Sequence, residues 1–292
     1  MRLCQCVPPS YSSSCGIEGV QQTDQHSSAN RRRSPDGQTE RHRLMEGWPC
    51  PLVDSCDDDW TWNIHDCSHE VKLYGPRSRT VLFHPGWSNG TAAVRGTKPL
   101  LAPFQYGCRA YYWEIDVSHR VFGTSLMFGV GTKNADLHAY SFTNLLGRNG
   151  HSWGLNHRGA AWHDGASFAL TQPFLENTPT TVSILLDWTR DDGVLEYFKD
   201  GKSLGLAFRN VASTLLNNAK SEQDLYLYPM IASTAARTEM CLVRARRTLT
   251  SLKDRCAWQV AKCMRSRPTD VEFLELPDSL RSSIRKRVLY LF

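Results

Sequence analysis

Between Trp60 and about Leu242 the chain is divided into short runs rich in Val, Ile, Tyr, Phe and Trp, separated by Gly, Asn, Asp and Pro clusters. Such runs at such intervals read as strands. The clearest are Val81–His84, Tyr111–Val117, Leu126–Gly131, Ser152–Leu155, Thr181–Asp187, Val194–Lys199, Leu204–Phe208, Tyr228–Ala232 and Glu239–Arg244. No strand–helix–strand alternation is present, so the expected fold is mainly β, an antiparallel sandwich of many short strands. Asp191-Asp192-Gly193 and Lys199-Asp200-Gly201 are turn signals, and the second predicts a tight hairpin in which Asp-Gly supplies positive φ angles. Most of the nine tryptophans lie in this region, as two packed sheets with bulky inner faces require.

After Arg247 the period becomes that of a helix. Thr250 or Ser251 can cap a first helix that ends before Pro268, and a spacing of four sets Leu252, Cys256 and Val260 on one face, with Cys263 three residues beyond. Thr269-x-x-Glu272 has capping-box spacing and predicts a short second turn. Pro277 precedes a last helix with Leu280, Ile284, Val288 and Leu291 on one face. By itself the Leu252 stripe fits core packing. The segment is nevertheless too small to fold securely alone, and behind a β-rich domain it has the form of a docking device.

Residues 1–58 are rich in Ser, Gln, Arg, Pro and Gly, with few aliphatics and no sustained period. A segment of that kind buries too little apolar surface to offset its ordering entropy and is expected to be disordered. Arg31-Arg32-Arg33 within it fits a solvated tail, a nuclear-import fragment or a protease site. The division is therefore a tail at 1–58, a sandwich at 59–247 and a helical segment at 248–292.

The net charge of +5 is unevenly placed: residues 244–292 hold 12 Lys and Arg against 5 Asp and Glu. A solvated helix face explains that excess, and no aromatic platform accompanies it, so nucleic acid is not an expected partner. No run of about 18 apolar residues is present to span a membrane, and the first residues lack the apolar core of a secretory signal. The ten cysteines are scattered, several in apolar surroundings. Reduced thiols in the cytoplasm or nucleus are the expectation.

A family resemblance rests on ordered blocks: Trp113-Glu114-Ile115, Gly129-Val130-Gly131-Thr132, Leu145-Leu146-Gly147-Arg148-Asn149-x-x-Ser152-Trp153-Gly154-Leu155, Leu186-Asp187 with Asp191-x-Gly193-x-Leu195-x-Tyr197-Phe198, and Leu227-Tyr228-Pro229. They resemble a SPRY (B30.2-like) domain, a bent β-sandwich whose loops bind short peptides. Ser251-Leu252-x-x-x-Cys256-x-x-x-Val260 resembles the Elongin-binding box of a SOCS box, and Leu274-Glu275-Leu276-Pro277-Asp278-Ser279-Leu280 resembles its cullin box. The combination is similar to the SPRY domain-containing SOCS box proteins, substrate adaptors of cullin-RING ubiquitin ligases. Glu275 stands where that family usually has a proline.

The resemblance implies a sandwich followed by a small three-helix SOCS box. It implies that Leu252, Cys256 and Val260 meet Elongin C, with Elongin B, and that Leu274, Leu276, Pro277 and Leu280 meet a cullin carrying its RING subunit. Helix-in-groove recognition is the physical mode: Leu252 fills an apolar pocket, worth about 1.5–3 kcal/mol, and the small Cys256 lets the partner backbone approach. For a short degron peptide of a substrate protein, the implied positions are Thr124, Tyr140, Phe142, Thr234, Ala235 and Ala236. His84-Pro85-Gly86-Trp87-Ser88 replaces an Arg-Pro-x-Ala element of the better-known branch, so the peptide read differs. Arg95 and Arg237 fit pairing with an acidic degron residue, a structural ion pair or a solvated surface.

No enzymatic signature competes. Asp187, Asp191, Asp192 and Glu196 form an acidic cluster that suggests a glycosidase pair, but turn chemistry explains them. His65-x-Cys67-x-His69 and Cys4-x-Cys6 lack zinc-site spacing, and neither a phosphate-binding loop nor a serine-hydrolase motif is present. A non-catalytic adaptor without cofactor or metal is expected, with a SPRY scaffold that assembles no ligase as the alternative.

Overall fold

The structure, a computed structural model, describes residues 48–52, 55–101, 109–249, 251–264 and 267–289. Its strands begin with β1 (Cys56–Asp57), β2 (Trp62–Cys67), β3 (Val71–Tyr74), β4 (Thr80–Phe83) and β5 (Thr91–Gly96). Then come β6 (Ala110–Val117), β7 (Leu126–Gly131) and the two-residue β8 (His138–Ala139). The middle of the chain supplies β9 (Ser152–Asn156), β10 (Ala160–His163), β11 (Ala166–Ala169), β12 (Thr180–Asp187), β13 (Val194–Lys199) and β14 (Lys202–Phe208). Helix α1 (Val211–Asn218) precedes β15 (Tyr228–Ser233) and the long β16 (Thr238–Thr248). Helix α2 (Leu252–Cys263), a 3-10 turn (Pro268–Phe273) and helix α3 (Asp278–Leu289) follow.

The strands form two antiparallel sheets packed face to face. One runs β14-β13-β12-β6-β16-β4-β3, with β1 on β16; the other runs β11-β10-β9-β7-β15-β5-β2, with β8 on β5. The expected sandwich is thus present. The β13–β14 hairpin closes through Asp200 (φ 48) and Gly201 (φ 73) with Lys199 opposite Lys202, as the Asp-Gly signal predicts.

Alternation along the strands divides side chains between the inner core and two outer clusters. Leu126, Phe128 and Val130 of β7 join Trp113, Ile115, Ile184 and Tyr197 between the sheets. Met127, on the opposite face, packs with Met230, Ala232, Leu145 and Leu146. The segment that leaves β8 therefore covers the outer face of the second sheet, and strands buried on both faces read as continuous apolar runs. On the first sheet, Cys50 and Leu52 cover Ala110, Tyr112 and Leu185. A third small core, separate from these, joins α2, the 3-10 turn and α3 through Ala257, Ala261, Val271, Ile284 and Val288.

Several sequence expectations need correction. The disordered tail assigned to 1–58 lies mostly outside the described residues, but its end belongs to the sheet: Cys56 and Asp57 pair with Arg247 and Arg246, and Arg244 donates to the Trp48 carbonyl. Two residues are too few to show alternation, so β1 left no pattern to read. The 3-10 turn begins behind Arg267 instead of at a Thr269 capping box, and Leu291 lies outside the described residues. The six described free cysteines are Cys50, Cys56, Cys67, Cys241, Cys256 and Cys263. No helix among the described residues is long and apolar enough to cross a membrane.

Candidate functional site

Three connections of the sandwich are tied together at one end. His84, at φ 45, leaves β4 in a left-handed conformation; it is buried, and its Nε2 lies 3.0 Å from the Ser233 carbonyl. The backbone N–H of Arg237 donates to the carbonyls of Phe83 and His84 at 2.9 and 3.0 Å. Ser88 Oγ donates to the Thr234 carbonyl at 2.6 Å, joining residues 84–90 to residues 234–237. The backbone N–H of Thr234 donates to the Ser125 carbonyl, and that of Ser125 to Thr234 Oγ1, both at 2.9 Å. The connection before β7 is thereby fixed as well.

The segment after β8 is held to the same end. Thr91 Oγ1 donates to the Ser141 carbonyl at 2.7 Å and accepts the Thr143 N–H at 3.0 Å. Ser125 Oγ and Asn156 Nδ2 donate to Asn144 Oδ1 at 2.7 and 3.2 Å. Gly90 is needed for the approach: a Cβ there would fall 2.1 Å from the Ala139 carbonyl oxygen. Arg120 Nε donates to the Ala236 carbonyl and stacks 4.9 Å from the Phe122 ring centre. Arg158 Nη2 donates to the Gly123 carbonyl at 3.3 Å.

On this braced frame Trp87 is 88% exposed and Tyr140 84%, and Phe142 is also exposed. Large apolar side chains left in water on a fixed frame mark an interaction surface. Of the positions taken from sequence, Thr124, Tyr140, Phe142 and Arg237 lie at the surface and Ala236 is half-buried. Thr234 and Ala235 are buried and serve as braces. Arg95 needs correction. It is 1% exposed, its guanidinium pairs with Asp66 at 2.5 Å and donates to the carbonyls of Ala135 and Lys133, so it is a structural cation. Trp87 was missed as a site residue, although its place in a Pro-Gly turn, where an aromatic side chain has no strand to pack on, was a usable signal.

Along α2, Leu252 is 76% exposed, and Cys256 and Cys263 are exposed too. Ala257 and Ala261 are buried against α3 and the 3-10 turn. Val260 needs a partial correction, because it is half-buried against that small core. A spacing of four advances about 40° around a helix, so two such steps carry Val260 from the exposed face to the edge of the buried one. Leu274 and Leu276 also pack on this core, Leu280 is half-buried and Pro277 is exposed. Arg281 Nη2 holds the Leu276 carbonyl at 2.9 Å.

The acidic cluster is engaged locally. Asp187 Oδ1 accepts both donors of Thr189, Asp191 pairs with Arg209, and Asp192 accepts the Ser213 N–H at 2.9 Å. Glu196 accepts Ser203 Oγ at 2.7 Å and pairs with Arg190. No group of three or more His, Cys, Asp or Glu among the described residues is placed to hold a metal.

Comparison with known proteins agrees with this architecture. The SPRY domain family matches residues 110–241, from the start of β6 into β16. The chain is 32% identical over 234 residues to SPRY domain-containing SOCS box protein 3 of Xenopus tropicalis, a match covering 79% of this chain and 58% of that protein's length. It is 29% identical over 236 residues to the human SPRY domain-containing SOCS box protein 1, covering 76% of this chain and 78% of the relative. The F-box/SPRY domain-containing protein 1 of Drosophila grimshawi is 29% identical over 188 residues, 62% of this chain and 66% of the relative.

Proposed function

Because this chain is a SPRY-domain protein related to the SPRY domain-containing SOCS box proteins, we propose that it is a non-catalytic substrate-recognition adaptor of a ubiquitin ligase. The sandwich, residues 59–247, captures a short peptide of the substrate on the surface around Trp87, Tyr140 and Phe142. Residues 248–292 act as a SOCS box that docks Elongin C with Elongin B, and through them a cullin and its RING subunit. Ubiquitin transfer belongs to other subunits. The adaptor contributes proximity, raising the effective concentration of substrate lysines near the charged conjugating enzyme and committing the substrate to the proteasome. Such a protein works in the cytoplasm, the nucleus or both.

The exposure of Leu252 on α2 is the observation that carries this reading. A helix that only completed the fold would turn its leucine inward, as it turns Ala257 and Ala261. Here the leucine and a small cysteine one turn later face water, the arrangement that helix-in-groove docking requires. Leu274 and Leu276, by contrast, contribute to the small core, leaving Pro277 as the outward member of the proposed cullin segment.

Co-expression with Elongin B and Elongin C is expected to give a stable ternary complex in size-exclusion chromatography. Leu252→Ala combined with Cys256→Phe should abolish it while moving the melting temperature little, because substitutions at exposed positions usually stay within about 0.5 kcal/mol. Failure of the unaltered chain to co-purify with the Elongins would overturn the adaptor reading and favour a scaffold that assembles no ligase.

A further inference from the structure

A groove of about 680 Å³ opens beside the loop surface, lined by the consecutive residues His138 to Ser141 together with Asp136 and Arg148. Tyr140 belongs to both features, so the groove continues the surface assigned to the substrate peptide. Arg148 and Asp136 are both exposed residues. Among the described residues neither has an ion-pair partner, whereas neighbouring Lys133 and Arg95 both converge on Asp66. Two opposite charges in one groove, neither with an ion-pair partner among the described residues, favour a ligand that carries both signs.

The backbone lining the groove adds a second property. Strand β8 pairs with β5 through Ala139 opposite Thr91 and His138 opposite Ala92. It has no strand on its other side among the described residues. An open edge of that kind presents N–H and C=O groups to which an extended peptide can add as a further strand, while pockets on either side choose its side chains.

We propose that this groove binds the substrate chain next to the segment seated on the loops, as an extended peptide laid along β8, with an acidic side chain at Arg148 and a basic one at Asp136. Recognition is then bipartite: the aromatic loop surface reads a short core, and the groove reads charge beside it. This rests on the peptide-adaptor function proposed above and names the class of peptide that the adaptor selects.

A random peptide library displayed on phage and selected on the full-length chain tests it. Selected peptides are expected to share a core followed, at a constant offset, by one acidic and one basic residue. Repeating the selection on Arg148→Glu should retain the core and replace the acidic residue by Lys or Arg. A fluorescent peptide from the first selection should bind Arg148→Glu about fivefold more weakly, as for one exposed ion pair. Changing the peptide's acidic residue to Lys should restore that loss. Trp87→Ala should instead weaken every peptide that carries the core. A shared core without charge preference, or a preference unchanged by Arg148→Glu, would overturn the groove assignment and leave the loop surface standing. If the unaltered chain selects no peptide at all, the peptide-adaptor function falls and the groove assignment with it.

Discussion

A guanidinium that is almost wholly buried must find its counter-charge and its acceptors inside the protein, and Arg95 finds them in Asp66 and two backbone carbonyls. Removing it leaves the Asp66 carboxylate with only the half-exposed Lys133, 3.6 Å away, as a counter-charge. Arg95→Met is therefore expected to cost about 3 kcal/mol in urea unfolding, and adding Asp66→Leu should recover much of the loss because the poorly compensated carboxylate is gone. A residue that only bound peptide would leave the urea midpoint unchanged. Arg237, also placed near the peptide in the sequence, is exposed at φ 58 and contributes its backbone N–H to the frame. One sequence cannot separate two such arginines. Both follow a pair of alanines within two residues, and only the folded neighbours decide which one loses its water.

At the scale of elements, legibility followed the apolar bulk of the residues in each run. Runs such as Leu126–Gly131 and Val194–Lys199 were plain in the sequence and span the same residues in the fold. Strand β5, Thr-Ala-Ala-Val-Arg-Gly, was not: like β7 it is buried on both faces, so it shows no alternation, and its small alanines, arginine and glycine also lack the bulky β-branched and aromatic residues that mark a strand. Helix α1 was also missed: it is short, rich in Thr, Ser and Asn, and held by packing of Val211, Ala212 and Leu215. The β13–β14 hairpin was legible because its chemistry is local. Gly201 has φ 73, and a Cβ there would fall 2.3 Å from the Trp48 indole. Gly201→Ala should therefore cost about 1–3 kcal/mol in urea unfolding and shift the fluorescence of Trp48 as the indole is displaced.

Across the whole molecule, three histidines make stability depend on pH. Burial lowers the pKa of His138, with the neighbouring charge of His69 adding to the effect. Burial, then Arg158, lowers that of His157, whose Nδ1 accepts the Leu126 N–H at 3.0 Å. Burial also lowers that of His163, although its hydrogen bond to the Ser152 carbonyl opposes the shift. The unfolded chain, with histidines near the ordinary 6.5, binds more protons than the native state just below that pH. Stability is thus fully present above about pH 7 and falls as the pH drops through 6.5 toward the lowered folded values. The melting temperature should decline between about pH 7.5 and about pH 5.5, and a flat profile would contradict these shifts. The same scale separates two kinds of information in this chain. The sequence by itself determined the sandwich, its turns, the change to helices after Arg247 and the family to which these blocks are similar, because strand pattern, turn residues and motif spacing are local properties. Only the tertiary structure decided that Leu252 faces water while Val260 turns toward a core, that Arg95 is a buried brace, and that Trp87, Tyr140 and the β8 groove share one end. Solvent exposure and the meeting of distant loops depend on what packs above each residue, and no window of neighbouring residues contains that.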